Sequence, residues 1–211
     1  MDQLSVVCVQ TGNYLGRGQE YVQKLRRQVR KHLTLPHEFF VVTDDPASFY
    51  PRMKCRPSAL PGWWEKLHLF KPGMFPEGRV LFLDLDTFIV GNIDDIAAYD
   101  GPFATLRDFW RQEGLGPAVM LWHTEAAAPI WQAWEAAGKP MRLPNGDQGV
   151  LEQHFGDRKP DLLQDLFPGR FVSYKTHCAN GVPDGASVVC FHGKPRPHEA
   201  GGWAKEYWDG Q

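Results

Sequence analysis

Several signals that would assign a function outright are missing from this chain. Its four cysteines, Cys8, Cys55, Cys178 and Cys190, stand far apart, with neither zinc spacing nor the density of a disulfide scaffold. Free thiols in a reducing, cytoplasmic compartment are therefore expected. No apolar run is long enough to cross a bilayer, and the first one, Leu4 to Val9, is too short for a secretion signal. A formal net charge of -2 offers no excess positive charge to nucleic acid. No Gly-x-Gly-x-x-Gly follows the first apolar run, so a dinucleotide-binding fingerprint is excluded. Repeats, low-complexity tracts and inter-domain linkers are absent too, and the 211 residues read as a single domain, 1–211.

What is present is periodicity. Leu4 to Val9 and His37 to Thr43 read as buried strands, and Glu20 to Leu33 as an amphipathic helix between them. Val22, Leu25, Val29 and Leu33 make its apolar stripe. Lys24, Arg26, Arg27, Arg30 and Lys31 cover the other side, a basic face read as solvated in preference to one that meets nucleic acid or lipid. Asp44-Asp45-Pro46 ends the second strand, Tyr50 to Gly62 reads as a surface loop, and Trp63 to Phe70 as a short helix. The alternation of strand and helix predicts an α/β fold with a mostly parallel central sheet flanked by helices. Later segments continue it: strands at Phe103 to Leu106, Val119 to Trp122, Phe171-Val172 and Val188 to Phe191, and helices at Ala126 to Ala137 and from Val150.

The chain is organised around Arg79 to Val90, RVLFLDLDTFIV. Val80 to Leu83 reads as a strand buried on both faces, ending in two carboxylates separated by one leucine. Strand alternation sends Asp84 and Asp86 to one side and Leu85 into the core. Two adjacent carboxylates repel and are costly to desolvate, so a divalent cation between them is one reading and a pair of solvated acids the other. Asp-x-Asp also resembles the first motif of the haloacid-dehalogenase phosphatases, but Phe88 stands where that motif needs Thr or Val.

Five blocks in order carry a more specific resemblance. They are Thr11 to Tyr14 after the first strand, Lys66-Leu67-His68, Phe82 to Asp86, Asn145-Gly146-Asp147-Gln148-Gly149, and Phe191-His192-Gly193-Lys194-Pro195. Together they resemble the family 8 glycosyltransferases, the glycogenin-like and galactosyltransferase-like group with a GT-A fold. The resemblance implies a nucleotide-binding part over about 1–90 and a sugar and acceptor part over about 91–211. It implies Asp84, Asp86 and His192 as ligands of manganese or magnesium, mixed oxygen and imidazole ligation favouring manganese. The donor, a UDP-sugar, would be held by Thr11, Asn13, Tyr14, Lys66, Asp84, Leu85, Asp86, Gly193 and Lys194, with Tyr14 stacked on the uracil or serving as a loop anchor. Asp147, Gln148 and Lys66 would be the catalytic group, Lys66 keeping Asp147 ionised.

The implied reaction is retaining transfer of a hexose to a glycan, a lipid-linked sugar or a protein. Either Asp147 is a covalent nucleophile, or the acceptor attacks from the leaving-group side while a phosphate oxygen takes its proton; the second route is preferred. Two departures qualify the match. Gly116-Pro117-Ala118 replaces a polar segment near the sugar, and the spacing from His192 to Lys194 is short, which admits Arg196 or His198 as phosphate contacts. Arg107 and Asp108 are either a surface ion pair or aids on the sugar side. Trp110, Trp122, Trp131, Trp134, Trp203 and Trp208 read mostly as core or helix-packing residues, with an acceptor platform among them as the alternative. The rival readings are a sugar nucleotidyltransferase, which would need a more basic glycine-rich loop than one carrying Arg17 alone, and a non-catalytic nucleotide- or sugar-binding module.

Overall fold

A computed structural model describes residues 3–44, 52–54, 60 and 62–211. Asp45-Pro46, Cys55 and most of the 50–62 segment lie outside the described residues. The first half of the chain alternates as expected: β1 (Gln3–Gln10), α1 (Gly18–His32), β2 (Glu38–Thr43), β3 (Arg52–Lys54), a 3-10 helix (Gly62–Phe70) and β4 (Gly78–Leu83). Then follow β5 (Thr87–Ile89), α2 (Asp94–Ala97), β6 (Phe103–Arg107), β7 (Leu115–His123), α3 (Thr124–Ala136) and α4 (Asp147–Phe155). The chain ends through β8 (Asp161–Leu162), α5 (Leu163–Leu166), β9 (Phe171–Ser173), α6 (Tyr174–His177), β10 (Val188–Cys190) and α7 (Gly202–Asp209).

Seven strands form the main sheet in the order β3-β2-β1-β4-β7-β6-β8. Strands β3, β2, β1, β4, β6 and β8 run one way, and β7 alone runs against its neighbours. The mostly parallel α/β expectation holds. Val6, Val7, Val80 and Leu81 are buried because each face of the sheet is covered. One face packs on α1 and carries Tyr21, Val22, Leu25 and Val29. The other meets the 3-10 helix and α3, with Trp64, Leu67, Trp122, Ile130 and Trp134.

The acid pair is placed differently from the sequence reading. Strand β4 stops at Leu83, and residues 84–86 form a turn closed by the Thr87 amide donating to the Asp84 carbonyl at 3.2 Å. Beyond it, β5 leaves the main sheet for a three-stranded one, β5-β10-β9. Leu85 is still buried and Asp84 and Asp86 still share one side, but by a turn rather than by strand alternation.

Two more expectations need correction. Residues 52–54, expected in a loop, pair with β2 as a parallel strand. Lys24, placed on a solvated basic face, is buried beneath α7; its Nζ donates to the Trp208 carbonyl at 2.6 Å and lies 4.7 Å from the centre of that indole. A buried ammonium is tolerated because carbonyl acceptors and an aromatic face replace its water. Cys8, Cys178 and Cys190 are free thiols, as anticipated. Among the described residues, no helix is long and apolar enough to cross a membrane.

Candidate active site

The C-terminal ends of β4 and β6 and the N-terminal end of β7 meet on one edge of the main sheet. That is the edge at which open α/β sheets leave a crevice for ligands. A cavity of about 550 Å³ opens there. Asp84, Asp86, Lys66, Asp147, Gln148, His192 and Gly193, all anticipated as site residues, line it. They come from four distant stretches of sequence.

Lys66 is the hub of the floor. The 3-10 helix buries Leu67 and Leu69 and thereby turns Lys66 toward the sheet edge. Its Nζ sits 2.8 Å from both Asp84 carboxylate oxygens and 3.8 Å from Asp147. Burial acts to lower the Lys66 pKa, but Asp84, Asp147 and Asp86 together outweigh it, and the ammonium is held charged. Burial, followed by the charges of Asp86 and Asp147, pushes Asp84 up to about 7 against the pull of Lys66. His68, next to Lys66 in the same block, faces away and pairs with Glu65 at 2.8 Å.

Asp147 opens α4, where unpaired amides and the helix dipole favour a carboxylate. Gly146 before it has φ 63° and ψ -134°, a region open to glycine. A Cβ there would also lie 2.5 Å from the Trp63 indole nitrogen. Gln148 donates to Asp108 at 2.8 Å. Asp108 in turn accepts the Trp110 and Arg111 amides at 2.8 Å and 3.1 Å, which shapes the loop after β6 and helps hold its carboxyl below the ordinary range despite burial. Of the Arg107-Asp108 couple, only Asp108 faces the cavity; Arg107 pairs with Asp165 at 2.6 Å.

His192 has both ring nitrogens engaged. The Trp110 indole donates to Nδ1 at 3.0 Å, and Nε2 lies 2.7 Å from Ser173 Oγ. An indole N–H can only donate, so Nδ1 accepts and the single ring proton sits on Nε2. Burial and then the Lys175 charge lower the His192 pKa and keep the ring neutral.

Other expected contacts fall elsewhere. Leu85 points into the core, so its contact to a donor would have to come from the main chain. Lys194 is exposed and does not line the cavity, whereas Lys175, which the sequence did not signal, does. His198 is tied to the Tyr21 hydroxyl at 2.6 Å. Asn13 lines a second hollow beside the first turn of α1, together with Gln10 and Arg17; Thr11 lines neither. Tyr14 packs edge-on against Tyr21, 5.2 Å between ring centres, and burial and then the charges of Asp86 and Asp84 raise its pKa, which places it near the acid turn. Trp122, Trp131, Trp134 and Trp208 are core residues; Trp110 stands 65% exposed at the cavity rim.

The cation implied for Asp84, Asp86 and His192 does not fit this arrangement. Among the described residues no three His, Cys, Asp or Glu side chains are grouped so that they could hold a metal ion. Each acid already has a cation of the chain: Lys66 on Asp84, and Arg196 on Asp86 at 2.5 Å. Both nitrogens of His192 are committed as well.

No protein-family model matches the sequence, and none of the curated proteins does. Solved structures match its fold. The apo form of the glycosyltransferase GlyE from Streptococcus pneumoniae TIGR4 superposes with a TM-score of 0.70 at 14% identity, covering 98% of this chain and 59% of GlyE. The chain thus spans about three fifths of the length of GlyE. The galactosyltransferase LgtC, in complex with donor and acceptor sugar analogues, gives a TM-score of 0.70 at 12% identity and covers 97% of this chain and 94% of LgtC. The fold is that of the GT-A glycosyltransferases. The cavity, with its acid turn after β4, lies at the carboxyl ends of the parallel strands, where open α/β sheets bind ligands. The wall beside Asp84 is Gly116-Pro117-Ala118, whose Ala118 carbonyl accepts the Asp84 amide at 2.8 Å.

Proposed function

We propose that this protein is a retaining glycosyltransferase that moves a hexose from a UDP-sugar to a hydroxyl of a glycan, a lipid-linked sugar or a protein. One observation carries the reading: the edge cavity gathers the acid turn, Lys66, Asp147-Gln148 and His192-Gly193 around one floor. The fold likeness supports it, since LgtC was solved with donor and acceptor sugar analogues.

The chemistry assigned to the residues is as follows. The bond from the sugar anomeric carbon to the diphosphate oxygen breaks, and its electron pair leaves with UDP. The acceptor oxygen bonds to that carbon from the same face, and its proton passes to a phosphate oxygen. Asp147, 3.8 Å from the Lys66 ammonium, faces the positive charge that develops on the sugar ring. Gln148, held by Asp108, orients the sugar hydroxyls. The exposed Trp110 indole offers a face on which an acceptor sugar stacks.

The test is a panel of UDP-sugars scored by released UDP, with and without manganese or magnesium. One UDP-hexose should turn over, and Asp147→Asn should lower its kcat by about 100-fold or more, in the range of a lost electrostatic contact. UDP binding without turnover of any donor would favour a non-catalytic binding module; no binding at all would remove the reading.

A further inference from the structure

The acid turn is occupied by the chain's own cations. Four aspartates, Asp84, Asp86, Asp108 and Asp147, line the cavity. A diphosphate entering it would be repelled unless positive charge met it there. Lys66 is spent on Asp84 and Asp147, and Arg111 on Asp108. Two cations remain. Arg196 places Nη1 on Asp86 at 2.5 Å and keeps 30% of its side chain exposed. Lys175 lines the cavity, makes no ion pair among the described residues, and has its Nζ 3.3 Å from where a Cβ on Gly193 would stand.

We propose that the cavity binds its nucleoside-diphosphate donor without a divalent cation, with Arg196 and Lys175 as the groups that neutralise the diphosphate. The inference rests on the donor reading above. A guanidinium carries five N–H donors in a planar fork, and the bond to Asp86 uses Nη1 alone, so others stay free for phosphate oxygens. The segment that carries Arg196 is fastened on both sides. The Phe191 amide donates to the Asp86 carbonyl at 3.0 Å, the Arg196 amide to Glu199 at 2.9 Å, and His198 meets the Tyr21 hydroxyl. Asp86 is then a positioning residue for Arg196. Gly193, with φ 70° and no Cβ, leaves the Lys175 ammonium room beside the backbone. A divalent ion would have to displace Lys66 and Arg196 from both acids and also take His192 from Trp110 or Ser173.

UDP binding by calorimetry separates the possibilities. Wild type should bind UDP with affinities in EDTA and in millimolar manganese that agree within about twofold, because the contacts to the diphosphate come from Arg196 and Lys175 and not through an ion. Arg196→Ala should weaken binding about tenfold or more, and Lys175→Ala by a smaller factor. Arg196→Ala leaves Asp86 without its partner and is checked for folding by circular dichroism; Arg196→Lys keeps the charge, should stay folded, and should recover part of the affinity. Binding that needs manganese and survives both Arg196 substitutions would overturn the inference while leaving the donor reading intact. UDP bound under neither condition would remove both.

Discussion

At the scale of single residues, the site is defined by which groups are already satisfied. His192 is the clearest case, because a donor-only neighbour fixes its tautomer. A second proton would have to be added at Nδ1, against the Trp110 N–H. Burial first, and then the Lys175 charge, hold the folded pKa below the unfolded value of about 6.5. With a depressed folded pKa, the native state binds fewer protons than the unfolded chain. The contribution of His192 is present above about pH 6.5 and lost as pH falls through the lower, folded value. In His192→Gln, the gap in unfolding free energy from wild type should narrow as pH is lowered from about 7.5 to about 5. Urea unfolding at several pH values measures it, and a gap that stays constant would show that the neutral ring is not what holds Trp110. The same logic explains what the sequence could and could not tell at this scale. Asp84 and Asp86 stood out as carboxylates one residue apart at a strand end, and Asp147 as a carboxylate opening a helix within the Asn145-Gly146-Asp147-Gln148-Gly149 block. Lys175, Ser173 and Trp110 carry no local pattern. They become part of the site only when α6, the end of β9 and the loop after β6 converge on His192.

Elements were legible where a period or a continuous apolar run marked them, so that even the three-residue β9 and β10 showed. Strand β1, helix α1, β2 and β4 each have enough residues for a period of 2.0 or 3.6 to show. Strand β3 at Arg52–Lys54 and β8 at Asp161–Leu162 do not, and neither do α5 and α6. Their structure is imposed by the sheet edge or the packing they join. Helix α4 is a mixed case. Its start was readable from Asn145-Gly146-Asp147, but the closeness of its first turn to the preceding loop was not. A Cβ on Gly149 would lie 2.2 Å from the Pro144 carbonyl oxygen, a backbone atom with little freedom to move. Gly149→Ala should therefore push the first turn of α4 away from the loop, at a cost of about 1–3 kcal/mol. For a chain of this size each kcal/mol lowers Tm by about 2–4 °C. Because Asp147 and Gln148 sit on that turn, kcat for the donor identified in the panel should fall as well. A thermal melt and a rate assay check both, and an unchanged Tm with unchanged kcat would show that the loop yields freely.

On the scale of the whole molecule, the acid turn depends on residues at the far end of the chain. Helix α7 lies across α1 and β5. Its Trp208 indole is 4.6 Å from the Tyr21 ring and stacks at 6.3 Å on Phe88, the residue two beyond Asp86. The Tyr207 hydroxyl donates to the Ile89 carbonyl, and Lys24 donates to the Trp208 carbonyl at 2.6 Å. The C-terminal helix thus closes the core on the side where β5 leaves the main sheet, and it keeps water from Lys24 and Tyr21. Trp208→Ala would leave a large void lined by Tyr21, Phe88 and the Lys24 stem. The expected loss is about 3–5 kcal/mol, the range for deleting a buried aromatic side chain. Equilibrium urea unfolding of the full chain measures it. Because no α7 residue lines the edge cavity, UDP affinity of the folded fraction should stay within about twofold of wild type. An unfolding free energy within about 1 kcal/mol of wild type would mean that β5 and α1 are held without α7. A large loss of UDP affinity at full stability would mean instead that the helix acts on the acid turn directly, through Phe88 and Ile89, rather than by sealing the core.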